Sequence, residues 1–265
     1  SGDGTSFTIA ESTVEDSSGS CFDFPTDAEV TMTNVDMDGC NSDGSSTGGA
    51  VVNDGGSTGG FLSMEGVTIA DSFVNLISTD LATVTIANVS ATIGSSQSGA
   101  ALEASAGSTG TSVSVHNLDA SDYDGVVINA MDSYSITDSD LGDGDIAISP
   151  GGASSTASGA HGDDAILDDV SAGALSFARS SPTLNDVDLS GALTVSGNSP
   201  TTNLVLGDNV DADGVSFQGC GYTYHFTDMD LDAGGADSYV SSSCSSSNAP
   251  NSITIDGGTI ATASS

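Results

Sequence analysis

The side chains in this sequence best suited to chemistry are carboxylates, which number 37 in 265 residues against a single basic side chain, Arg179. They are densest in the stretch Asp138-Ser-Asp140-Leu-Gly-Asp143-Gly-Asp145. Closely spaced carboxylates repel one another unless cations or hydrogen bonds compensate their charge. Carboxylates are also the hard oxygen ligands that Ca²⁺ prefers. The sequence therefore predicts a divalent-cation site, with Ca²⁺ as the expected ion.

These aspartates belong to a repeat. Its unit is an apolar, hydroxyl, apolar run followed two residues later by Asn, Asp, Glu or Gly, as in Val30-Thr-Met-Thr-Asn34. About eleven copies follow one another at intervals of roughly 25 residues, a period that indicates a solenoid. The expected bend residues are Glu11, Asn34, Gly66, Asn88, Asn117, Asp138, Asp169, Asp186, Asp208, Asp228 and Gly257.

A second set of aspartates follows two residues after many of these bends, at Asp36, Asp119, Asp140, Asp188 and Asp230. If the copies stack, equivalent side chains form columns with a spacing of about 4.8 Å. The expected metal ligands are Asp138, Asp140, Asp143, Asp145, Asp169, Asp186 and Asp188. The alternative is that the Asn and Asp side chains serve only as hydrogen-bond partners for the bends.

The elements that must position these side chains are short strands. The apolar runs are rich in β-branched residues, a second apolar run follows each bend, and no stretch keeps a helical period. Each copy can bury its apolar side chains only against its neighbours, so residues 1–265 are expected to form one elongated all-β body. One buried column is expected to hold Ile9, Met32, Met64, Ile86, Val115, Ile136, Leu167, Leu184, Leu206, Phe226 and Ile255.

This repeat resembles the right-handed parallel β-helix of the pectin-lyase-like superfamily. The resemblance implies a solenoid of about eleven coils. Enzymes of that superfamily place Arg or Lys beside acidic groups, whereas this chain has only Arg179. Galacturonase-like members also use Gly-His-Gly and Arg-x-Lys motifs. His161-Gly162 is similar to the first of these motifs, but the chain has no Arg-x-Lys motif. We therefore expect a protein without catalytic activity. A glycoside hydrolase using two carboxylates is the less favoured alternative.

The outward position between the two apolar residues carries a hydroxyl in eight of the eleven copies. Such a face resembles that of β-solenoid ice-binding proteins and implies binding of ice or of a neutral glycan, but Ser and Thr are also well tolerated on a solvated strand. Ile166, Val205 and His225 interrupt the series. The hydroxyl residues are Thr8, Thr31, Ser63, Thr85, Ser114, Ser135, Thr183 and Thr254.

The four cysteines predict two disulfides. Cys220 and Cys244 are 24 residues apart, which is one coil, and Cys21 and Cys40 lie in the first two coils. We expect Cys21–Cys40 and Cys220–Cys244 bridges, because the ends of a solenoid are too far apart for cross-pairing. Disulfides indicate an oxidising compartment, so a secreted or cell-surface protein is expected. No apolar run is long enough to span a bilayer.

Charge and the terminal coils suggest the partners. An acidic chain is a poor partner for nucleic acid, whereas divalent cations and neutral glycans are partners compatible with its charge. The first and last coils have no evident polar caps, and an uncapped strand edge pairs readily with another chain. The expected function is therefore a module, segment or subunit of an extracellular filament, surface layer or adhesin that associates end to end.

Overall fold

A computed structural model describes residues 5–25, 27–43, 48–53, 60–73, 75–79, 81–92, 99–105, 112–129, 133–149, 164–178, 180–196, 203–218, 222–232, 240–243 and 251–261. These residues form strands, bends and turns and no helix. The strands are β1 (Ser6–Glu15), β2 (Phe22–Phe24), β3 (Glu29–Asp38), β4 (Val51–Asn53), β5 (Phe61–Ala70), β6 (Ile77–Thr79), β7 (Thr83–Thr92), β8 (Leu102–Ser105), β9 (Ser112–Asp119), β10 (Gly125–Asn129), β11 (Ser133–Asp140), β12 (Asp145–Ser149), β13 (Asp164–Ala172), β14 (Leu175–Ala178), β15 (Thr183–Ser196), β16 (Asn203–Gln218), β17 (Tyr222–Asp232), β18 (Val240–Ser243), β19 (Ser252–Asp256) and β20 (Ile260–Ala261).

The strands stack into two parallel ladders, and the chain is a right-handed parallel β-helix, as predicted. The first ladder runs β1, β3, β5, β7, β9, β11, β13, β15, β16, β17 and β19, and we number coils 1 to 11 by these strands. The second runs β2, β4, β6, β8, β10, β12 and β14, then continues through the ends of β15 and β16 to β18. The described residues include no helix that could cross a membrane.

A left-handed backbone conformation turns each coil from one face to the next. All eleven coils have a residue with φ between 47° and 86° at the equivalent position. Asn, Asp and Gly adopt this conformation at lower cost than other residues, which explains why they recur there. The residue two positions before the bend and the residue directly after it can then both point into the core. The bend residues are Glu11, Asn34, Gly66, Asn88, Asn117, Asp138, Asp169, Asp186, Asn209, Asp228 and Gly257.

The predicted buried column is present, with one correction. Its members are fully buried from Met32 to Leu184 and again at Phe226, and Ile9 and Ile255 are half-buried in the first and last coils. Leu206 was predicted to be buried in this column, but it is exposed. Gly207 pairs with Leu184 and Phe226 and occupies the core position of coil 9 instead.

The cause of this correction is a one-residue difference in register at coil 9. The bend is at Asn209 and not, as predicted, at Asp208. Val205, predicted to point outward, is therefore buried, because a shift of one residue exchanges the two faces of a strand. The ring of Phe226 fills the space beside Gly207, where a Cβ would overlap it.

A few polar groups lie within the apolar interior. Ser139 is buried directly after the bend of coil 6, where its hydroxyl donates to the Thr137 carbonyl at 2.8 Å. The Tyr134 hydroxyl lies 2.7 Å from Ser180 Oγ, and burial raises the pKa of this tyrosine. Asn53 and Thr79 are in register in the second ladder and bury polar atoms that have no hydrogen-bond partner among the described residues. The interior is thus mainly apolar, with isolated polar positions.

Candidate functional site

The candidate site is built on the bend column, whose side chains differ between the two halves of the solenoid. In the first half, amides connect successive coils. Asn34 Nδ2 donates to Glu11 Oε1 at 2.7 Å, and Asn117 Nδ2 donates to Asn88 Oδ1 at 2.7 Å. Asn88 Nδ2 reaches Glu65 Oε1 at 2.6 Å, beside the bend glycine of coil 3. We call these three links the amide ladder; they join coils 1 and 2, coils 3 and 4, and coils 4 and 5.

Coils 6 to 8 place three carboxylates in succession at the same position, Asp138, Asp169 and Asp186. A carboxylate without a proton cannot donate a hydrogen bond, so it cannot connect to the coil before it as an amide does. Within the described residues, no side-chain hydrogen bond joins Asp138 to Asp169 or Asp169 to Asp186. Asn209 resumes the ladder in coil 9, where its Nδ2 donates to Asp186 Oδ1 at 2.6 Å.

The second aspartate column lies beside these three carboxylates and completes an open cleft of about 340 Å³. Asp140 and Asp188 point outward two residues beyond their bends, on coils 6 and 8. Ser171 holds the equivalent position on coil 7 and donates from its Oγ to Asp140 Oδ1 at 2.8 Å. The walls of this acidic cleft are Asp138, Ser139, Asp140, Asp169, Val170, Ser171, Asp186 and Asp188.

Five of the seven predicted metal ligands therefore line one cleft, but Asp143 and Asp145 do not. Asp145 Oδ1 accepts a hydrogen bond from the Ala174 backbone N–H at 2.8 Å. Asp143 Oδ1 lies 3.4 Å from Ser190 Oγ. Both carboxylates thus act between coils near the start of the second ladder, in the hydrogen-bonding role that was the alternative to metal binding.

The cleft combines high negative charge with oxygen ligands, which is the chemistry that attracts a hard divalent cation. Among the described residues, however, no three His, Cys, Asp or Glu side chains are grouped closely enough to hold a metal ion. Calcium binding by the aspartates of the cleft stays a prediction. His116 would offset part of this negative charge when protonated, because its Nδ1 lies 3.0 Å from Asp138 Oδ2 at the edge of the cleft.

The sequence did not predict the contributions of His116, Ser171 and Asn209 to this region. His116 also lies 3.0 Å from Thr137 Oγ1. Ser171 could have been found, because it follows Asp169 by two residues, as Asp140 follows Asp138. Asn209 was missed because Asp208 and Asn209 are adjacent bend candidates, and Asp208 was predicted to be the bend.

The hydroxyl-bearing face lies before the bend, on the outward side of the first ladder. Thr8, Thr31, Ser63, Thr85, Ser114 and Ser135 are in register in coils 1 to 6. Ile166 follows in coil 7, and Leu206 takes the position in coil 9 that was assigned to Val205. This outward column has no Asp, Glu, Lys or Arg in any of its eleven coils.

One of the two predicted disulfides is confirmed. Cys21 and Cys40 are bonded, with their Cα atoms 5.3 Å apart, and they connect coil 1 to coil 2. Cys220 and Cys244 lie outside the described residues. The observed bridge is consistent with an oxidising environment.

The comparisons with known proteins add no relative. The chain matches no protein-family model, no curated protein and no solved structure.

Proposed function

We propose that this chain is a non-catalytic structural module of the extracellular space: a β-solenoid that contributes to a filament, surface layer or adhesin by end-to-end stacking of coils. The observation that carries this proposal is the continuity of the first ladder. Its strands and buried column stay in register from coil 1 to coil 11, with bends at equivalent positions. Such a body serves as a rigid spacer whose length is set by the number of coils.

The two outermost strands support the stacking component of the proposal. Within the described residues, β1 pairs only with β3, and β19 pairs only with β17. Phe7, Ile9 and Ile255 are only partly buried, although their equivalents in the central coils are buried completely. A further coil on either edge, from the same polypeptide or from a second copy, would continue both the hydrogen bonds and the apolar column.

Charge supports an extracellular module without catalysis. The acidic cleft is lined by carboxylates and hydroxyls, and the whole chain offers one basic side chain to position an anionic substrate. The Cys21–Cys40 bridge favours secretion. Release of reducing sugar from neutral polysaccharides by the purified chain would contradict this part of the proposal and favour a hydrolase.

End-to-end stacking can be tested by sedimentation velocity and electron microscopy of the chain over a range of concentrations. We expect fibres that grow with concentration, with a repeat of about 50 Å for eleven rungs of about 4.8 Å. Thr8→Pro removes a backbone donor from the edge strand β1 and should block growth. Thr8→Ser keeps the donor and is the matched control.

Circular dichroism must first show that both variants keep the strand content of the wild type. A wild-type chain that stays monomeric at high concentration would overturn end-to-end stacking. Equal fibre growth by the Thr8→Pro and Thr8→Ser variants would place the contact elsewhere than β1.

A second candidate function is binding of ice or of a neutral glycan by the hydroxyl-bearing face. The uncharged outward column favours it, because such a column is unusual in a chain of net charge −36. Thr85→Asp in coil 4 should then abolish inhibition of ice recrystallisation or retention on a neutral glycan resin. Wild-type protein inactive in both assays would remove this candidate.

A further inference from the structure

The outward face of coils 7 to 9 carries an apolar patch. Among the described residues, the exposed large apolar side chains are Ile166 (42%), Leu204 (47%) and Leu206 (38%). Ile166 pairs with Thr183, and Thr183 pairs with Leu206, so these side chains lie in one column. Leu204 precedes Leu206 by two residues and therefore points to the same side of the sheet. We call Ile166, Leu204 and Leu206 the apolar patch.

The fold does not require leucine or isoleucine at these positions. The same column holds Thr183 between Ile166 and Leu206, and it holds Thr254 in coil 11. The observed register of coil 9 also turns both leucines outward while Gly207 occupies the core. Single exposed apolar residues are common, but these three lie within three successive coils, on both sides of Thr183, on a face that is otherwise polar. Grouping of this kind indicates a binding surface.

Carboxylates border the apolar patch on the side of the bend. Asp168 and Asp208 follow Ile166 and Leu206 by two residues, so they point outward from the same face at a distance of about 7 Å along the strand. Both side chains are exposed. The surface thus offers apolar contact in its centre and negative charge along one margin.

A second copy of the chain does not suit this surface. In a two-fold contact centred on the Leu206 column, with the solenoid axes parallel, the Asp208 column would oppose the Leu204 column of the other copy. With the axes antiparallel, the Asp208 column would oppose its own equivalent. A second copy also brings one basic residue, Arg179, against its own 37 acids. Charge complementarity therefore favours a basic partner.

We propose that the apolar patch binds a basic amphipathic segment of a partner protein. The apolar side chains of that segment cover Ile166, Leu204 and Leu206, and its Lys or Arg side chains lie against Asp168 and Asp208. The apolar contact distinguishes an amphipathic basic segment from other cations, because the acidic surface of this chain attracts cations at many places. This docking site lies on the side of the solenoid and does not depend on stacking of the terminal coils.

The test uses two short fluorescent peptides of equal charge, one alternating leucine with lysine and the other alternating serine with lysine. Fluorescence anisotropy measures their affinity for the folded chain at several salt concentrations. The wild type should prefer the leucine peptide by about tenfold or more, which corresponds to burial of one or two leucine side chains.

Two sets of variants separate the apolar contribution from the charge. The triple variant I166T, L204T, L206T introduces the residue already used in this column and should reduce the preference to less than about twofold. D168N with D208N should weaken binding of both peptides and reduce its salt dependence. D36N with D119N removes the same charge from exposed positions beyond the bend and is the matched control, expected to change binding less.

Three results would overturn the proposal. They are a wild type that binds the two peptides equally, a triple variant that keeps the preference for leucine, and a wild-type dimer in sedimentation that the triple variant dissociates. The last result would assign the patch to a second copy of the chain. Circular dichroism of the triple variant verifies that its strands are retained.

Discussion

The amide ladder of coils 1 to 5 and the carboxylates of coils 6 to 8 share one backbone geometry but differ in what connects the coils. Asn117 has a φ of 52° and Asp138 a φ of 50°. Asn117 donates to the coil before it, whereas Asp138 has no donor to offer and contacts His116 instead. The left-handed bend thus selects the short polar side chain, and the amide or carboxylate group then decides whether adjacent coils are bonded or repelled.

This difference locates the acidic cleft. Where amides follow one another, the side chains occupy the bend column and satisfy each other. Where Asp138, Asp169 and Asp186 follow one another, the side chains have no mutual hydrogen bonds, and the space beside them is open. The contrast also suggests that the apolar columns, which run through both halves, provide most of the stability.

The largest expected effect tests the contribution of the apolar column. Ile136 is fully buried in coil 6, at the junction of the two halves. Ile136→Ala should lower the free energy of unfolding by about 2–5 kcal/mol in chemical denaturation, because it leaves a cavity between coils. Ser135→Ala, on the outward face of the same strand, is the control and should change it by less than about 0.5 kcal/mol. Equal effects would show that coil stacking does not depend on this column.

A smaller effect is expected when a carboxylate is introduced into the amide ladder. Asn117→Asp removes the donor to Asn88 Oδ1 and extends the run of carboxylates from Asp138 to coil 5. It should destabilise the chain by about 1–2 kcal/mol at low salt, and by less at high salt, where repulsion is screened. A loss of stability that is independent of salt would mean that the hydrogen bond alone accounts for the difference between the two halves.

The reverse substitution should be mildly stabilising. Asp169→Asn places an amide between Asp138 and Asp186, where it can donate to the preceding coil as Asn117 does. We expect a gain of about 0.5–1 kcal/mol in the presence of chelator. Asp36→Asn removes one charge in coil 2 and controls for the change in net charge. If both variants gain the same stability, the position of Asp169 in the cleft is unimportant.

The smallest effect concerns calcium. With Ca²⁺ at a concentration comparable to its dissociation constant, binding to the folded state should add about 0.4 kcal/mol, measured as a rise in melting temperature over chelator. Asp169→Asn should reduce this rise, whereas Asp36→Asn should not. A wild-type melting temperature that is unchanged by millimolar Ca²⁺ would leave the carboxylates of the cleft without a role in metal binding.

The sequence predicted the solenoid because each copy of the repeat meets the same physical requirements, namely an apolar core and a left-handed bend. Apolar and polar residues alternate before the bend in nine of the eleven coils, with Ile166 of coil 7 and Leu204-Val205-Leu206 of coil 9 as the exceptions. All bend residues except Glu11 are types that tolerate a positive φ. Coil 9 also offers Asp208 and Asn209 as adjacent bend candidates. The residues after the bend decide between them. A bend at Asp208 would bury Asn209 and Asp211, whereas the observed bend at Asn209 buries Val210 and Ala212.

The site was less predictable than the fold. Stacked columns brought Asp138, Asp169 and Asp186 into one cleft, as the repeat indicated. The positions of Asp143 and Asp145 could not be inferred, because Asp143 lies in a turn between the two ladders and Asp145 begins the strand after it. The repeat does not fix where side chains of this turn point. The amide hydrogen bonds were likewise not predicted in direction. Asn34 donates to Glu11, and a prediction of this contact would require the side-chain conformations of residues on two coils.

The bridge between Cys21 and Cys40 has a mechanical consequence. A tensile load along the solenoid axis would peel a parallel ladder open one rung at a time, beginning at the terminal rung, where few bonds share the force. The covalent bond joins coils 1 and 2, so that their separation cannot be the first rupture. The earliest break should move to the boundary between coils 2 and 3, and single-molecule pulling should detect an additional early rupture only after reduction. The disulfide thus transfers the load from the first coil to the hydrogen-bonded coils that follow it.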